Sequence, residues 1–200
     1  MTTHPAPIRA SLFGGAIETT LPGGLIDVST LRQVPDNQEV YVDQAPTSSD
    51  SVSVVIELLE LASDAPIDAM AAYHLEQYAD DTEAASYSVV SAAEVPASTC
   101  ALSAAGRPIA VRRIVGAMTA QKFNQADAKH DVYVVQWVIR IPSVSTDLVI
   151  TWNLPVGAPW PGTAGESRPV VANSMPSDAL LAVCEQVARQ LTVVDWGLFC

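Results

Sequence analysis

The sequence predicts an α+β fold in which an antiparallel β-sheet is sandwiched between α-helices in three layers. One basis is the order of elements: a hairpin and further strands, a helix, several adjacent strands, and a second helix. Another is the segment 132–141, which is apolar on both faces, as expected for a strand covered on both sides. With 200 residues and no linker or repeat, the chain is predicted to form a single domain over residues 1–200.

Turn residues predict the first strands. Gly14-Gly15 lies between two apolar segments and is typical of a two-residue hairpin turn. Pro22-Gly23-Gly24 ends the second strand with another turn. Ser29 is the predicted N-cap of a short helical turn that follows.

The segment 34–42 combines a turn and a strand. Its first four residues, Val-Pro-Asp-Asn, place proline at the second position and therefore predict a turn. The strand that follows alternates, with Val40 and Val42 on one face and Glu39 and Tyr41 on the other.

A central strand and a helix are predicted next. Residues 52–61 are largely apolar, and their only charged side chains are Glu57 and Glu60. The segment 63–66 (Ser-Asp-Ala-Pro) is typical of a helix start, with a capping residue and a proline in the first turn. Side chains at helical spacing then predict one buried face, formed by Ile67, Met70, Ala71, His74, Leu75 and Tyr78.

The second half is predicted to contain four strands, a loop, a helix and an apolar tail. The strands are residues 89–103, broken at proline, 108–122, 132–141 and 148–154. Residues 156–175, rich in proline and glycine, are predicted to form a loop. Ser177 caps the final helix, whose buried stripe is Leu180, Cys184, Val187 and Leu191. The tail 193–199 is predicted to dock on the body through Val194, Trp196, Leu198 or Phe199.

The charge of the chain restricts its partners. The net charge of −12 argues against nucleic acid, because few side chains are available to displace counterions from phosphate, and it disfavours an anionic membrane surface. Residues 1–100 carry 15 acidic side chains against only Arg9 and Arg32, whereas residues 101–200 are nearly neutral. A basic protein patch or a cation is therefore the expected partner of the first half.

Cysteine usage and the absence of targeting segments bear on the compartment. Cys100, Cys184 and Cys200 are odd in number and far apart, so we expect free thiols and a reducing intracellular compartment. The longest uncharged run, residues 148–165, contains three prolines and is not a membrane span. The first residues lack the basic and apolar regions of a signal peptide.

Motifs of catalysis are not found. The sequence lacks a phosphate-binding GxxxxGK[ST] loop, a GxGxxG fingerprint and a GxSxG elbow, and its three histidines are scattered. His74, on the apolar helix stripe, is predicted to be a core residue that bonds to backbone; a catalytic base and a cysteine–histidine dyad are the less favoured alternatives. We therefore predict no cofactor and no metal.

Three carboxylates lie in one loop-rich stretch of the first half. Asp27, Asp36 and Glu39 have little positive charge around them besides Arg32. From the residues alone, turn chemistry is the favoured explanation: Asp36 fits a turn, Asp27 fits a hydrogen bond to nearby backbone, and Glu39 fits a solvated strand position. A paired-carboxylate hydrolase has no second signature to support it.

Residues 12–43, LFGGAIETTLPGGLIDVSTLRQVPDNQEVYVD, closely resemble the N-terminal signature of the Ran guanine nucleotide release factors, the Mog family. Further matching segments occur in family order: VVIELLE at 54–60, AAYHLEQYA at 71–79, VIRIPSVSTDLVITWNLP at 138–155 and VVDWGLF at 193–199. Residues 80–106 and 156–176 match least. The resemblance implies a sheet between helices, as in the PsbP proteins, and a regulatory protein without turnover chemistry of its own.

The same resemblance implies a partner and a site. Members bind the small GTPase Ran and promote release of its nucleotide in nuclear import, which implies a protein of the nucleus and cytoplasm, expected as a monomer. The acidic residues of the VPDxQEV motif are here Asp36 and Glu39, and Asp27 belongs to the same patch. Arg32 and Gln38 are expected at the rim.

The sequence leaves two other classes of function open. One is a ligand-binding module of PsbP type without coupling to a GTPase, which requires an apolar pocket. The other is an enzyme that uses scattered aspartate, histidine or cysteine side chains.

Overall fold

The structure, a computed structural model, describes residues 5–44, 51–102, 106–122, 125–157 and 176–199, with side chains outside 121–129. Within these ranges the chain forms two α-helices, α1 (Met70–Asp81) and α2 (Asp178–Gln190). The strands of the first half are β1 (Ile8–Leu12), β2 (Ile17–Leu21), β3 (Leu25–Asp27), β4 (Gln38–Asp43) and β5 (Ser53–Glu60). Those that follow are β6 (Ser86–Val95), β7 (Ala110–Lys122), β8 (Gln125–Ile141), β9 (Thr146–Pro155) and β10 (Thr192–Val193).

In the part of the chain that the structure describes, the strands form two sheets, and all neighbouring strands within each sheet are antiparallel. The larger sheet has seven strands in the order β3-β4-β5-β9-β8-β7-β6, and the smaller has three in the order β1-β2-β10. Since β10 follows α2 in sequence, the end of the chain returns to the N-terminal hairpin. The predicted mixed, antiparallel α+β class is confirmed.

The two faces of β8 belong to different hydrophobic clusters. Tyr133, Val135, Trp137, Ile139 and Ile141 join the main core, which also contains buried residues of β1, β2 and α2. Val132, Val134 and Val138 join a second cluster with buried residues of α1 and β7. The predicted two-sided burial of this strand is therefore confirmed, with residues of α2 in the first cluster and residues of α1 in the second.

Helix α2 has the predicted cap and stripe. The Ser177 hydroxyl accepts a hydrogen bond from the backbone N–H of Leu180, and the predicted stripe residues are all buried. Helix α1 begins later than predicted, at Met70, after Ala69, which has no capping side chain. Ile67, predicted on its buried face, is 47% exposed in the preceding turn.

Two local predictions in the first strands are wrong. The hairpin register pairs Leu12 with Ile17, so four residues separate the strands rather than two. The cap of the following 3-10 turn is Asp27 instead of Ser29, because the Asp27 carboxylate accepts the N–H of Ser29 at 2.7 Å. The predicted loop at 156–175 lies almost entirely outside the described residues. No helix in the described ranges is long and apolar enough to cross a membrane.

Candidate functional site

Asp36 lies on an exposed turn between the short β3 segment and β4. The turn closes through the N–H of Gln38, which donates to the carbonyl of Pro35 at 2.9 Å. Asn37 attaches the turn to β5: its carbonyl accepts the N–H of Leu58 at 2.9 Å, and its Nδ2 donates to the carbonyl of Leu58 at 3.3 Å. Within the described part of the chain, the Asp36 carboxylate itself makes no hydrogen bond or ion pair. A fixed backbone therefore presents an unpaired carboxylate to solvent.

A shallow groove of about 470 Å³ begins beside Asp36. Glu60, the exposed last residue of β5, supplies a second carboxylate to this groove. The docked tail forms one wall with Leu198 and Phe199, which are partly buried against the main core. The combination of exposed carboxylates with an apolar wall suits a basic protein surface that carries some apolar area.

Glu39 plays a different part. Its carboxylate accepts a hydrogen bond from the backbone N–H of Phe13, in the turn between β1 and β2, and the side chain is half-buried. The expectation that Glu39 is a solvated position is therefore wrong, because the hairpin packs over this face of β4. Burial raises the pKa of the Glu39 carboxyl above its usual range, and the nearby Asp27 carboxylate raises it further.

Asp27 is brought close to Glu39 by the pairing of β3 with β4. Asp27 lies opposite Tyr41 in that register, and Tyr41 is on the same face of β4 as Glu39. Burial, together with the Glu39 and Asp27 carboxylates, raises the pKa of Tyr41 to about 12. The backbone hydrogen bond predicted for Asp27 is confirmed by its contact with Ser29.

The two predicted rim residues lie apart from each other. Arg32 is exposed, and in the described ranges its side chain has no partner. Gln38 turns to the opposite face of β4 from Glu39, where its Nε2 donates to Glu57 Oε1 at 2.7 Å. The structure thus brings Asp27 and Glu39 together, places Asp36 beside the groove, and turns Gln38 towards α1.

A buried ionic network supports the same end of the large sheet. Arg140 and Asp147 are paired across β8 and β9, with Nε to Oδ1 and Nη2 to Oδ2 distances of 2.8 Å. Although burial opposes ionisation, hydrogen bonds from Arg140, His74 and the N–H of Ala62 hold the pKa of Asp147 well below its usual range. The same guanidinium donates to the carbonyls of Ala62 and Ala65, at 3.0 and 2.6 Å.

His74 takes part in this network. Its ring is 5% exposed, and its Nε2 lies 2.9 Å from Asp147 Oδ2. The prediction of a core histidine is confirmed, but its expected backbone partner is wrong, because a buried carboxylate occupies that position. Asp147 and Arg140 carry no local sequence signal for this role; only their antiparallel register brings them together.

The described residues contain no group of three or more histidine, cysteine, aspartate or glutamate side chains arranged to hold a metal ion. Cys100 and Cys184 are buried free thiols, as predicted, and Cys200 lies outside the described residues. Burial raises the pKa of both described thiols, which makes them poor nucleophiles.

The chain is similar to proteins whose names refer to Ran or to nuclear import. The family model described as "Ran-interacting Mog1 protein" matches residues 10–155. The human Ran guanine nucleotide release factor is 37% identical over 188 residues, which is 94% of each chain. The Saccharomyces cerevisiae nuclear import protein MOG1 is 27% identical over 202 residues, covering 96% of this chain and 84% of that protein. The crystal structure of the S. cerevisiae Ran-binding protein Mog1p superposes with a TM-score of 0.71 at 25% identity, covering 98% of this chain and all of that one.

Proposed function

The chain belongs to the Ran-interacting Mog1 protein family, and we propose that it binds the small GTPase Ran and promotes release of its guanine nucleotide in support of nuclear protein import. The single observation that carries the site is Asp36: an unpaired carboxylate on a turn held to β5. Such a group is preorganised to meet a lysine or arginine of a partner.

The proposed Ran-binding surface consists of Asp36 with Asp27 and Glu39, and Arg32 and Gln38 at its rim. In this arrangement Asp36 makes the direct contact. Asp27 and Glu39 contribute negative potential, and Glu39 also holds the hairpin turn through Phe13. The apolar wall of Leu198 and Phe199 supplies contact area beside the charge.

Release of nucleotide follows from thermodynamic linkage. A protein that weakens nucleotide binding must bind nucleotide-free Ran more tightly than loaded Ran, by the same factor. A tenfold effect requires about 1.4 kcal/mol of differential affinity. We propose that carboxylates on this surface provide it by pairing with basic groups of Ran that otherwise bind phosphate, so that the protein acts as a regulator rather than as an enzyme.

We also infer the arrangement of layers and domains, the excluded partners, the oligomeric state and the localisation of the protein. The two hydrophobic clusters on opposite faces of β8 support a three-layer, PsbP-like arrangement in a single domain over residues 1–200. The net charge of −12 argues against nucleic acid and anionic membranes as partners. A monomer in the nucleus and cytoplasm is the state that fits a Ran regulator.

The test is release of fluorescent GTP from Ran by wild type, Asp36→Lys and the control Asp80→Lys. Asp80 is an exposed residue of α1 that does not line the groove. We expect Asp36→Lys to lose stimulated release and Asp80→Lys to keep it, with both variants folded by circular dichroism. A folded Asp36→Lys protein that releases nucleotide at the wild-type rate would show that this surface is not the Ran site.

A further inference from the structure

A cavity of about 260 Å³ lies between α1 and the strands β4 and β5. It is on the face of the large sheet opposite the hairpin, because Gln38 lines it while the adjacent Glu39 points to Phe13. Helix α1 leaves β5 only partly covered here, so Val55, Glu57 and Leu59 are half-buried. Most of the polar side chains around the cavity come from α1 and the neighbouring strands: Gln38, Glu57, His74, Gln77, Tyr78, Asp81 and Gln136.

A buried hydrogen-bond acceptor at this cavity has no donor among the described residues. Gln136 is 1% exposed, and its Oε1 has no hydrogen-bond partner in the described structure. Burial raises the pKa of Glu57 above its usual range, and the Asp81 carboxylate adds to that rise by repulsion. A buried acceptor without a donor is costly, and the half-buried Glu57 carboxylate is repelled by the exposed Asp81 carboxylate. A ligand that donates hydrogen bonds and carries positive charge would relieve both.

The buried and half-buried donor side chains around the cavity already have partners, whereas Gln77 is exposed. Gln38 Nε2 donates to Glu57, and Gln136 Nε2 donates to Thr151 Oγ1 at 3.2 Å. The Tyr78 hydroxyl donates to Asn153 Oδ1 at 2.8 Å, which leaves its oxygen as an acceptor. His74 Nε2 faces the ionised Asp147 and donates to it. The cavity is therefore rich in acceptors and negative charge.

We propose that this cavity binds a cationic N–H donor group, in the first place a guanidinium and more weakly a primary ammonium. A guanidinium has five N–H donors and no acceptor, which complements the Glu57 and Asp81 carboxylates and the Gln136 oxygen. An ammonium has three donors and a more compact shape. The group can belong to a free small molecule or to an arginine or lysine of a protein, and the two sources share this chemistry.

The test is an NMR titration of the full chain with methylguanidinium chloride, methylammonium chloride and, as the neutral planar control, urea at the same low concentration. We expect saturable shifts of the Gln136 side-chain amide with methylguanidinium, weaker binding of methylammonium, and no saturable shift with urea. A bound cation should also lower the pKa of Glu57, measured by titration of its carboxyl carbon, with His74, Tyr78 and Asp81 as the other titratable groups facing it.

Neutral variants of the two cavity carboxylates, compared with a control outside the cavity, test whether the cation binds there. Glu57→Gln keeps an acceptor for Gln38 and removes the charge, and Asp81→Asn does the same next to the control Asp80→Asn, which does not line the cavity. We expect the first two variants to weaken methylguanidinium binding by about tenfold or more, and the control to bind like wild type. If no cation gives saturable shifts at Gln136, or if Glu57→Gln binds as tightly as wild type, the proposal is wrong.

Two further experiments are needed. One distinguishes a protein side chain from a free small molecule as the source of the bound cation, and the other distinguishes cation binding from the Ran activity. A short peptide with one arginine is compared with its citrulline counterpart: tighter binding of the arginine peptide than of methylguanidinium indicates a protein side chain, and equal binding indicates a small molecule. Asp36→Lys should bind methylguanidinium normally, because Asp36 does not line the cavity. Loss of the Ran activity therefore leaves this site standing, and loss of cation binding leaves the Ran site standing.

Discussion

The carboxylate of Glu39 accepts a hydrogen bond from the backbone N–H of Phe13, which lies 26 residues earlier in the chain. The contact joins β4 to the hairpin turn of the small sheet. The next part of that turn is joined to the tail, since the carbonyl of Ala16 accepts the N–H of Val194 at 2.8 Å. Glu39 thus helps to join β4, the hairpin turn and the tail, which are distant in sequence. Asp36, three positions before it, is exposed and can contact a partner.

This difference predicts unequal effects on stability. Glu39→Lys should lower the free energy of unfolding by about 1–3 kcal/mol, because it leaves the Phe13 N–H without its acceptor and buries a new charge. Asp36→Lys should change it by no more than about 0.5 kcal/mol, as an exposed residue without partners. Urea unfolding of the two variants measures both values. Glu39→Gln, which keeps an acceptor oxygen, is the matched control; if Glu39→Lys is as stable as Asp36→Lys, the Phe13 contact contributes nothing.

Disrupting the buried pair of Arg140 and Asp147 should cost more stability than either of these changes. Asp147→Asn should destabilise the fold by about 3–5 kcal/mol, because it leaves a buried guanidinium without its counter-charge. His74→Ala should cost less, about 1–3 kcal/mol, since Asp147 keeps its bonds from Arg140 and Ala62. Urea unfolding at neutral pH gives both values. If both variants lower the free energy of unfolding by the same small amount, the expectation that Asp147→Asn is more destabilising than His74→Ala is wrong.

The Arg140–Asp147 pair also predicts how the free energy of unfolding changes at acid pH. The pKa of Asp147 is lower in the folded than in the unfolded protein, where it is about 3.9. The stability that this carboxylate contributes is therefore complete above about pH 5 and is lost progressively as the pH falls towards its folded pKa. The Asp147→Asn protein should lose less stability than wild type between those limits. Parallel loss in both proteins would assign the acid response to other carboxyl groups.

The sequence predicts well where local pattern and packing agree. Strand β8 and helix α2 bury the residues that their periodicity selects, because the apolar positions themselves define the faces. Helix α1 is the contrary case. The segment 63–66 has the signals of a helix start, but Arg140 binds the carbonyls of Ala62 and Ala65 and holds that segment as turns.

Site residues are harder to predict than elements, because their partners are distant in sequence. Nothing near Glu39 indicates the N–H of Phe13, and nothing near His74 indicates Asp147, which lies 73 residues later. Asp36 is the opposite case: the proline turn alone predicts its exposure. The docking of the tail is predicted by its apolar composition, but its position beside Asp36 follows only from the folded structure.

The docked tail should contribute measurable stability. Trp196 is partly buried against the main core, its ring centroid lies 5.6 Å from that of Phe199, and Arg107 Cζ lies 4.2 Å above it. Trp196→Ala should therefore lower the free energy of unfolding by about 1–3 kcal/mol. Val194, which is 60% exposed, supplies the control Val194→Ser, expected to melt like wild type. Thermal melts by circular dichroism compare them, and an unchanged melting temperature for Trp196→Ala would show that the tail adds nothing to the core.

The cysteines should be free but protected. Cys100 and Cys184 are buried and their thiol pKa values are raised, so in the folded protein both should react slowly with an aromatic disulfide reagent at neutral pH. After denaturation without reductant, all three cysteines of the chain should titrate. Fewer than three thiols in the denatured protein would reveal a disulfide and contradict the reducing compartment inferred from the sequence.

The association of the protein with Ran should depend on salt through the carboxylates at the groove. Oppositely charged patches speed encounter, and the effect is screened beyond a Debye length of about 10 Å at 0.1 M ionic strength. The association rate of wild type should therefore fall as salt rises, while the dissociation rate changes less. Asp36→Asn and Glu60→Gln each remove one exposed charge beside the groove and should flatten this dependence, whereas Asp80→Asn, on α1, should leave it nearly unchanged. Stopped-flow mixing with Ran at several salt concentrations measures both rates. If Asp80→Asn flattens the curve as much as Asp36→Asn does, steering comes from the net charge of the whole first half, and the groove has no special role in encounter.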